Sequence, residues 1–369
     1  MSTETHRQFG SVISRLARRQ DLSREQAAAA FTTVLNDATT PMQQGAFLAA
    51  LTTKGETEAE IAGAWDAIYA LDTVKMPIHP ELSPVENSGT GMDSFKTFNI
   101  STAAAIIAAA GGVAMARHGS RSITSTCGTV DMAEALGVDV DCPAEMVAES
   151  IAAAGIGLFN GMSPAIHPGA LGRILSQIHF GSTLNIAASL ANPALPAIGV
   201  RGVYCREMIL PVIRVMKAIG YQKAMVVHGA VNGLGAGAGM DEASVCGPTD
   251  CARLSESGAI ETFTLDPKRF GLGKGDPEEL SPSPDIRTEA RRFAALISGR
   301  ETGLRKEAIL LNAALIFYTA GRTASIEDGL EKAAQALESG DALKTLTAWV
   351  TAQSRDPESG RKTLERRLG

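Results

Sequence analysis

The chain has 369 residues, of which 45% are hydrophobic and 20% charged, and its formal net charge is −6. These values describe a globular protein that can hold one large or two unequal domains, and they exclude a disordered or coiled-coil chain. The pI of about 5.6 excludes a bulk basic footprint for nucleic acid and leaves only a local basic patch open. The longest apolar stretch, about 103–116, is too short to span a bilayer, so no membrane association is expected.

Targeting and redox features predict a cytoplasmic protein. The first seven residues lack the apolar core of a signal peptide. The five cysteines are odd in number and form no CxxC pair, which is typical of reduced thiols in a cytosolic protein. We therefore do not expect a metal site built from cysteine.

The first 75 residues are predicted to form a small helical domain. Ser23 and Gln26 fit a capping box ahead of the apolar run 27–35. Pro41 suits the first turn of a second helix, and Thr57 suits the cap of a third, whose apolar residues recur with helical spacing. Nothing in this segment indicates chemistry of its own.

From residue 76 to about 350 the pattern changes to short β-branched segments that alternate with longer helical ones, which predicts an α/β domain with a mainly parallel central sheet. The clearest strand candidates are 113–116, 197–200 and 224–228, and the clearest helix candidates are 144–154, 206–219 and 306–320. Part of 160–195 is a candidate to pack on the helical domain. We expect an exposed linker at 277–284 and a charged tail at 351–369, which frays from residue 356.

One dense block, 87–102, predicts a site for a highly charged anion such as a phosphate or pyrophosphate. Gly89 and Gly91 allow backbone amides to approach an anion closely. Ser101 and Thr102 stand at the expected N-cap of a helix over 103–110, whose free amides would face the same anion. Asp93 repels phosphate, so it indicates a metal, a ribose hydroxyl or a role in ordering the loop.

The glycine turn by itself is weak evidence, because Gly-Thr-Gly also occurs in ordinary tight turns and matches neither GxGxxG nor a P-loop. Its coincidence with the segment Arg-His-Gly-Ser-Arg-Ser at 117–122 strengthens the prediction. Arg117 and Arg121, among hydroxylated residues at 120, 122, 124 and 125, suit a second anion contact. A surface salt bridge is the alternative interpretation of Arg121.

Taken together, these segments resemble the anthranilate phosphoribosyltransferases, a family within the nucleoside phosphorylase-like phosphoribosyltransferases. The family patterns GTGGD, TFNIST and KHGNRSxSSxxGSADxLEALG stand here at 89–93, 97–102 and 117–137. Further matching segments lie at 41–57, 156–159, 167–168, 192–193, 202–204, 226–229, 241–242 and 310–312. The resemblance covers roughly residues 10–345.

The resemblance implies a helical and an α/β domain of the phosphoribosyltransferase type, with phosphoribosyl pyrophosphate (PRPP) and Mg²⁺ bound between them, and a homodimer formed through the helical domain. On the matching positions, the pyrophosphate and ribose would contact Gly89, Gly91, Asp93, Asn99, Ser101 and Thr102. Arg117 stands where the family has a phosphate-binding lysine, and Thr129 stands where it has serine.

Asp241 and Glu242 match the family's Mg²⁺ ligands, and Ser101 is a further candidate ligand. Carboxylate and hydroxyl oxygens suit a cation that also binds substrate phosphates. Without the resemblance, a solvated acidic turn would be the preferred interpretation of the Asp-Glu pair.

The departures from the family pattern fall on the acceptor side, near His118. The asparagine that follows His-Gly in the family is Ser120 here, and the arginine that meets the anthranilate carboxylate aligns with Gln177. A neutral amide cannot replace a bidentate guanidinium–carboxylate pair. The alignment shortens by about two residues nearby, so Arg173 is an alternative acceptor-side cation. A glycine-rich insertion at 230–239 is interpreted as a lid or an acceptor contact rather than an idle loop.

We therefore predict a Mg²⁺-dependent phosphoribosyltransferase that acts on a nitrogen of a small aromatic or heterocyclic acceptor other than anthranilate. A true anthranilate phosphoribosyltransferase with a remodelled pocket, a nucleoside phosphorylase, and a non-catalytic binding or regulatory relative are the alternatives. No strong general base is evident. His118 is the nearest candidate, and a structural role for its imidazole is the other interpretation.

Overall fold

The computed structural model describes residues 3–79, 81–91, 93–122, 127–235 and 239–369. The chain begins with four helices, α1 (Thr3–Ala17), α2 (Arg24–Leu35), α3 (Pro41–Lys54) and α4 (Glu58–Leu71). The predicted capping box of α2 is confirmed, because the Ser23 side chain accepts from the Gln26 amide and the Gln26 side chain accepts in return. Pro41 is the first residue of α3, and Thr57 caps α4 as predicted.

The remaining described residues build an α/β domain around one eight-stranded sheet. Its strands are β1 (Val85–Gly89), β2 (Met115–Gly119), β3 (Ile156–Asn160), β4 (Ile198–Gly202), β5 (Lys223–Ala230), β6 (Gly239–Met240), β7 (Thr249–Leu254) and β8 (Ile260–Leu265). Its helices are α5 (Ile100–Ala110), α6 (Thr129–Leu136), α7 (Ala144–Ala154), α8 (Ala170–Ile178), α9 (Thr183–Ser189), α10 (Ile209–Ala218), α11 (Ile286–Ile297), α12 (Leu304–Thr319), α13 (Ile326–Glu338), α14 (Asp341–Ala352) and α15 (Pro357–Leu368).

The strand order is β3-β2-β1-β4-β5-β7-β8, with β6 paired to β5. Strands β1 to β5 run parallel, and β6, β7 and β8 add antiparallel pairs at one edge. Helices cover both faces of the parallel part, so most residues of its strands are buried. The predicted fold class, a small helical domain plus an α/β domain with a mainly parallel sheet, is confirmed.

The two largest apolar cores among the described residues lie on opposite faces of the sheet. One contains α5 and α12, and their alanine, isoleucine and leucine side chains are almost completely buried. The other joins the N-terminal helices to α8, α9 and α10, so that Leu171 and Leu184 share a cluster with Phe31 and Phe47. The helical domain is therefore packed against the second face of the sheet.

Three local predictions differ from the structure. Helix α5 begins at Ile100 with Asn99 at the N-cap, so Ser101 and Thr102 lie inside the first turn. The predicted linker 277–284 contains a short 3-10 turn, Pro277–Leu280, whose Leu280 is fully buried. The tail does not fray, because α15 buries Leu364 and Arg367 donates to the carbonyl of Ala135. No helix among the described residues is long and apolar enough to cross a membrane.

Candidate functional site

The predicted site lies where the direction of strand connection reverses. From β1 the chain moves outward to β2 and β3, and it then returns to place β4 on the other side of β1. In open α/β sheets the crevice at such a switch point, outside the carboxyl ends of the strands, is where ligands bind. Gly89 ends β1 and Gly202 ends β4, and the two glycines are partners in the register.

Both glycines are needed because Asp241 lies directly against the two strand ends. A Cβ on Gly89 would lie 2.1 Å from the Asp241 carboxylate, and a Cβ on Gly202 would lie 1.4 Å from its carbonyl oxygen. Gly91 has a φ of +66°, a conformation that favours glycine, and its amide donates to Asp241 Oδ2 at 2.6 Å. The glycine turn after β1 is thus shaped around an acidic side chain 150 residues away in the chain.

Asp93, Asp241 and Glu242 form a buried acidic cluster. Each offers a carboxylate oxygen, and these three oxygens lie within 4.8 Å of one another. Burial, and then the charge of Asp241, raises the pKa of Asp93 to about 6, although Lys96 lies 3.0 Å away. Burial and the charges of Asp241 and Asp93 raise the pKa of Glu242 well above its ordinary range.

This cluster has the chemistry of a site for a hard divalent cation. Glu242 Oε2 is buried and has no hydrogen-bond partner among the described residues. Three buried carboxylates with one lysine repel one another, and a divalent cation with oxygen ligands would remove that repulsion. The donor set therefore fits Mg²⁺, and it unites the predicted ligands Asp241 and Glu242 with the predicted donor-side residue Asp93.

Arg117 lies on β2, which flanks β1 on the side opposite β4, and its side chain lies below the first turn of α5. Its guanidinium is 1% exposed and donates to Thr102 Oγ1 at 2.6 Å, Ser101 Oγ at 3.1 Å and Asn87 Oδ1 at 3.1 Å. Burial lowers the pKa of Arg117 to about 10, so the side chain remains charged at neutral pH. A fixed positive charge and the free amides of α5 therefore face the same end of the sheet, as an anion site requires.

The rest of the predicted second anion contact is arranged differently. Arg121 forms ion pairs with Glu134 at 2.7 Å and Asp131 at 3.1 Å, so its salt-bridge interpretation is the correct one. Thr129 begins α6 beside the end of β2, and its Cγ2 would lie 3.0 Å from a Cβ on Gly119. The predicted hydroxyls at 124 and 125 and the middle of the glycine-rich insertion, 236–238, lie outside the described residues.

On the face of the sheet toward the helical domain, His118 and His167 form a hydrogen-bonded pair with 3.2 Å between their Nε2 atoms. His167 Nδ1 lies 2.5 Å from the carbonyl oxygen of Asp72, which can only accept. We therefore assign the proton to His167 Nδ1, so that His167 Nε2 accepts from His118 Nε2–H. His118 Nδ1 is buried and has no hydrogen-bond partner among the described residues.

The environment of this pair argues against a general-base role for His118. Burial, followed by the neighbouring His167 and Arg201, lowers the pKa of His118 to about 3. Burial also lowers the pKa of His167. An imidazole with so low a pKa is a weak base at neutral pH, although its Nδ1 can still accept a hydrogen bond from a bound molecule.

The three other residues predicted on the acceptor side are spread apart. Ser120 follows β2 and is exposed, and Gln177 is exposed in the last turn of α8. Arg173 turns into the helical domain, where it donates to Gln44 Oε1 at 3.0 Å and pairs with Asp37 at 3.2 Å. Arg173 was the alternative acceptor-side cation, and its charge is thus neutralised within the helical domain.

Sequence reasoning missed a second set of buried polar residues, on β1 and β4. Glu86 accepts from Tyr221 Oη at 2.6 Å, and Arg201 is 1% exposed near the end of β4. Ser189, at the end of α9, accepts from Arg201. The available signal was the presence of a charged residue within each of these short strand segments, which occurs when a side chain has a buried partner or a ligand.

Comparison with known proteins finds relatives that cover both domains. Residues 11–71 match the family described as "Glycosyl transferase family, helical bundle domain", and residues 82–343 match "Glycosyl transferase family, a/b domain". The anthranilate phosphoribosyltransferase of Myxococcus xanthus is 37% identical over 92% of this chain and 97% of its own length. That of Anaeromyxobacter dehalogenans is also 37% identical, with the same coverage of both chains.

Solved structures show the same fold. The anthranilate phosphoribosyltransferase of Thermus thermophilus superposes with a TM-score of 0.82 at 29% identity, over 93% of this chain and 99% of that one. The Saccharomyces cerevisiae enzyme, solved in complex with PRPP and Mg, superposes with a TM-score of 0.80 at 23% identity, over 94% of this chain and 98% of that one. The latter likeness concerns the fold alone.

Proposed function

The chain belongs to the anthranilate phosphoribosyltransferase family, and from this premise we propose that it transfers the phosphoribosyl group of PRPP to a nitrogen of an aromatic or heterocyclic acceptor. The observation that carries the proposal is the convergence of three features at one crevice. These are the glycine turn after β1, the N-terminus of α5 and the buried carboxylate cluster. A phosphoribosyl transfer needs all three, because a highly charged leaving group must be held and neutralised.

Mg²⁺ is the proposed cofactor, with Asp241 and Glu242 as its protein ligands and Asp93 beside them. The ion would neutralise the charge that develops on the departing pyrophosphate. Ser101 remains a candidate ligand or phosphate contact, since its hydroxyl lies at the N-terminus of α5 and accepts from Arg117. The amides of 89–91, the α5 N-terminus (Asn99, Ser101 and Thr102) and Thr129 are proposed to hold the pyrophosphate and ribose.

The protein's remaining contribution is orientation. A fixed crevice that holds the ribose carbon and the attacking nitrogen in line converts a bimolecular step into an effectively unimolecular one. His118 would accept a hydrogen bond from the acceptor through its Nδ1 rather than remove a proton, because its pKa is about 3. The reaction does not demand a strong base if the acceptor is a neutral amine.

We propose an acceptor other than anthranilate. Ser120 replaces the family's asparagine, Gln177 is a neutral, exposed residue, and Arg173 is paired within the helical domain. These three features remove the cation that the family pattern places against the anthranilate carboxylate. True anthranilate phosphoribosyltransferase activity is the competing proposal, and the names of the most similar relatives favour it.

Pyrophosphate release from PRPP separates these proposals. The protein is incubated with Mg²⁺, PRPP and single acceptors from a panel of aromatic and heterocyclic amines, with anthranilate in parallel. Release with a panel member at least tenfold faster than with anthranilate supports the changed acceptor. Faster release with anthranilate identifies a true anthranilate enzyme, and complementation of a tryptophan auxotroph gives a second readout.

A non-catalytic relative is the third candidate, and the buried carboxylate cluster argues against it, because such a cluster is costly to keep without a cation. Failure of PRPP to bind in the presence of Mg²⁺ would favour this candidate. A salt-dependent shift of DNA mobility would then point to nucleic acid as the ligand.

We also propose a homodimer that forms through the helical domain. Met42 on α3 is 85% exposed, and Val12 and Ile13 on the neighbouring helix α1 are only partly buried. The exposed Met42 supports a contact between subunits at this end of the helical domain, and the family resemblance supports the same surface. Light scattering coupled to size exclusion would measure twice the chain mass, and Met42→Glu would be expected to shift the protein toward the monomer.

A further inference from the structure

Arg201 is a buried arginine that the proposed donor site does not use. It lies in β4, one residue before Gly202, and is the register partner of Ser88 in β1. Its side chain is 1% exposed and is on the same face of the sheet as His118, toward the helical domain. It therefore lies below the crevice on the acceptor side, on the opposite face of the sheet from Arg117.

The guanidinium of Arg201 has polar but uncharged partners. Nη1 donates to Ser88 Oγ at 2.9 Å and to the carbonyl of Ser189 at 3.3 Å, and Nη2 donates to Ser189 Oγ. Nε is buried and has no hydrogen-bond partner among the described residues. No carboxylate oxygen of the described residues lies within 4.0 Å of the guanidinium nitrogens of Arg201.

Glu86 is the neighbouring carboxyl group, and it is committed elsewhere. Its Oε2 accepts from Tyr221 Oη at 2.6 Å, and its Oε1 accepts from Ser88 Oγ at 3.4 Å. Burial raises the pKa of Glu86, in spite of the opposing charge of Arg201. The guanidinium therefore keeps a buried donor without a partner and no carboxylate in direct contact, so an incoming anion that reached Arg201 would gain charge-assisted hydrogen bonds.

The residues that cover Arg201 border the crevice. Ser88 immediately precedes the glycine turn, and Ser189 is the last residue of α9. Both serines are partly exposed, although the arginine beneath them is not. The carbonyl and hydroxyl oxygens of Ser189 accept hydrogen bonds from Nη1 and Nη2 of the planar guanidinium. The two oxygens of a carboxylate would accept from the same two nitrogens.

We propose that Arg201 is the specificity-determining cation of this enzyme and that it receives a carboxylate carried by the aromatic or heterocyclic amine acceptor. The proposal rests on the proposed phosphoribosyl transfer and names the acceptor class. The carboxylate displaces Ser189 from the guanidinium as the end of α9 moves aside. The acceptor's anion is thus bound between β1 and α9 instead of against α8, where Arg173 is already paired with Asp37.

Binding of simple aromatic amines tests this assignment. The dissociation constants of 2-, 3- and 4-aminobenzoate and of aniline are measured by calorimetry on the full chain loaded with Mg²⁺ and pyrophosphate, which cannot react with the amine, and PRPP affinity is measured separately without an amine. We expect at least one aminobenzoate to bind tenfold or more tightly than aniline. If that one is only 2-aminobenzoate, which is anthranilate, the role of Arg201 stands and the proposal of a changed acceptor is rejected. Arg201→Gln should remove that difference, while aniline and PRPP affinities stay within about twofold. Arg201→Lys should keep a reduced preference, since the charge remains but the fork does not.

Arg253→Gln is the matched control, because Arg253 lies in the same sheet on β7 and donates to Tyr318 Oη, away from the carboxyl end of β1. It should leave the preference unchanged. Three results would overturn the proposal. The first is equal binding of aniline and all three aminobenzoates by the unmodified protein. The second is an equal loss of aniline and aminobenzoate affinity in Arg201→Gln. The third is that Arg173→Gln loses the preference for aminobenzoate while Arg201→Gln keeps it. Failure of PRPP itself to bind the unmodified protein would instead reject the proposed function.

Discussion

The carboxylate of Asp241 accepts a hydrogen bond from the backbone amide of Gly91, with 2.6 Å between Oδ2 and N. This contact joins the proposed metal site to the proposed anion turn. One carboxylate oxygen positions the loop that would cradle the pyrophosphate, while the acidic cluster beside it offers oxygens to a cation. Loss of either partner should therefore affect both halves of the donor site.

Removal of the acidic pair should abolish Mg²⁺-dependent binding of PRPP. Asp241→Ala combined with Glu242→Ala leaves Asp93 as the one carboxylate of the cluster, which is too few protein ligands for a cation that must also hold phosphate oxygens. Calorimetry of PRPP with and without Mg²⁺ measures the effect. Glu261→Ala, an exposed change on β8, is the control. Unchanged Mg²⁺-dependent binding by the double variant would show that the ion is held elsewhere.

Gly202→Ala should disrupt the same site without removing any polar atom. The new Cβ would lie 1.4 Å from the carbonyl oxygen of Asp241, so the segment that carries the acidic pair must shift. We expect a loss of about 1–3 kcal/mol in the free energy of unfolding, as is usual for overpacking, together with weaker PRPP binding. Gly172→Ala on α8 is the control, because its Cβ meets nothing within 4 Å. Equal behaviour of the two variants would contradict this account.

The buried histidine pair should make the protein less stable in mild acid. The folded-state pKa values of His118 (about 3) and His167 lie below the ordinary histidine value of 6.5, so between these values the unfolded chain binds more protons than the folded one. The contribution of the neutral histidines to the free energy of unfolding is complete above pH 6.5. It is lost as the pH falls, by up to about 1.4 kcal/mol per pH unit for each histidine. Urea unfolding from pH 7 to pH 4.5 measures this slope. His118→Gln should make it shallower, and an unchanged slope would contradict the neutral assignment.

Arg117→Lys, which restores the residue type of the family pattern, should cost stability and preserve PRPP binding. A lysine keeps the charge, but it cannot reach the three side-chain acceptors Asn87, Ser101 and Thr102 with one ammonium group in the same geometry. We expect a loss of about 1–3 kcal/mol in the free energy of unfolding, since buried acceptors lose their donors. Urea unfolding and PRPP calorimetry separate the two effects. A large loss of PRPP affinity would assign Arg117 a direct phosphate contact.

The amino-acid sequence determined the features that depend on neighbouring residues. The caps of α2, α3 and α4, the alternation of strands and helices, and the glycine turn ahead of α5 all follow from turn chemistry, capping and periodicity. The family patterns predicted the fold class and the acidic pair on the same basis, because they consist of short contiguous segments. These signals are local, so a linear sequence displays them directly.

Only the tertiary structure decided what lies at the acceptor side. Arg173 and Arg201 are the same residue type, yet Arg173 is paired with Asp37 in the helical domain and Arg201 is buried behind the crevice without a carboxylate. Asp93 also acquires its neighbours only through folding, because Asp241 and Glu242 lie about 150 residues away in the chain. Burial and ionic pairing depend on which elements pack together, and no local pattern encodes that choice. The charges were readable in the sequence, but their partners were set by packing.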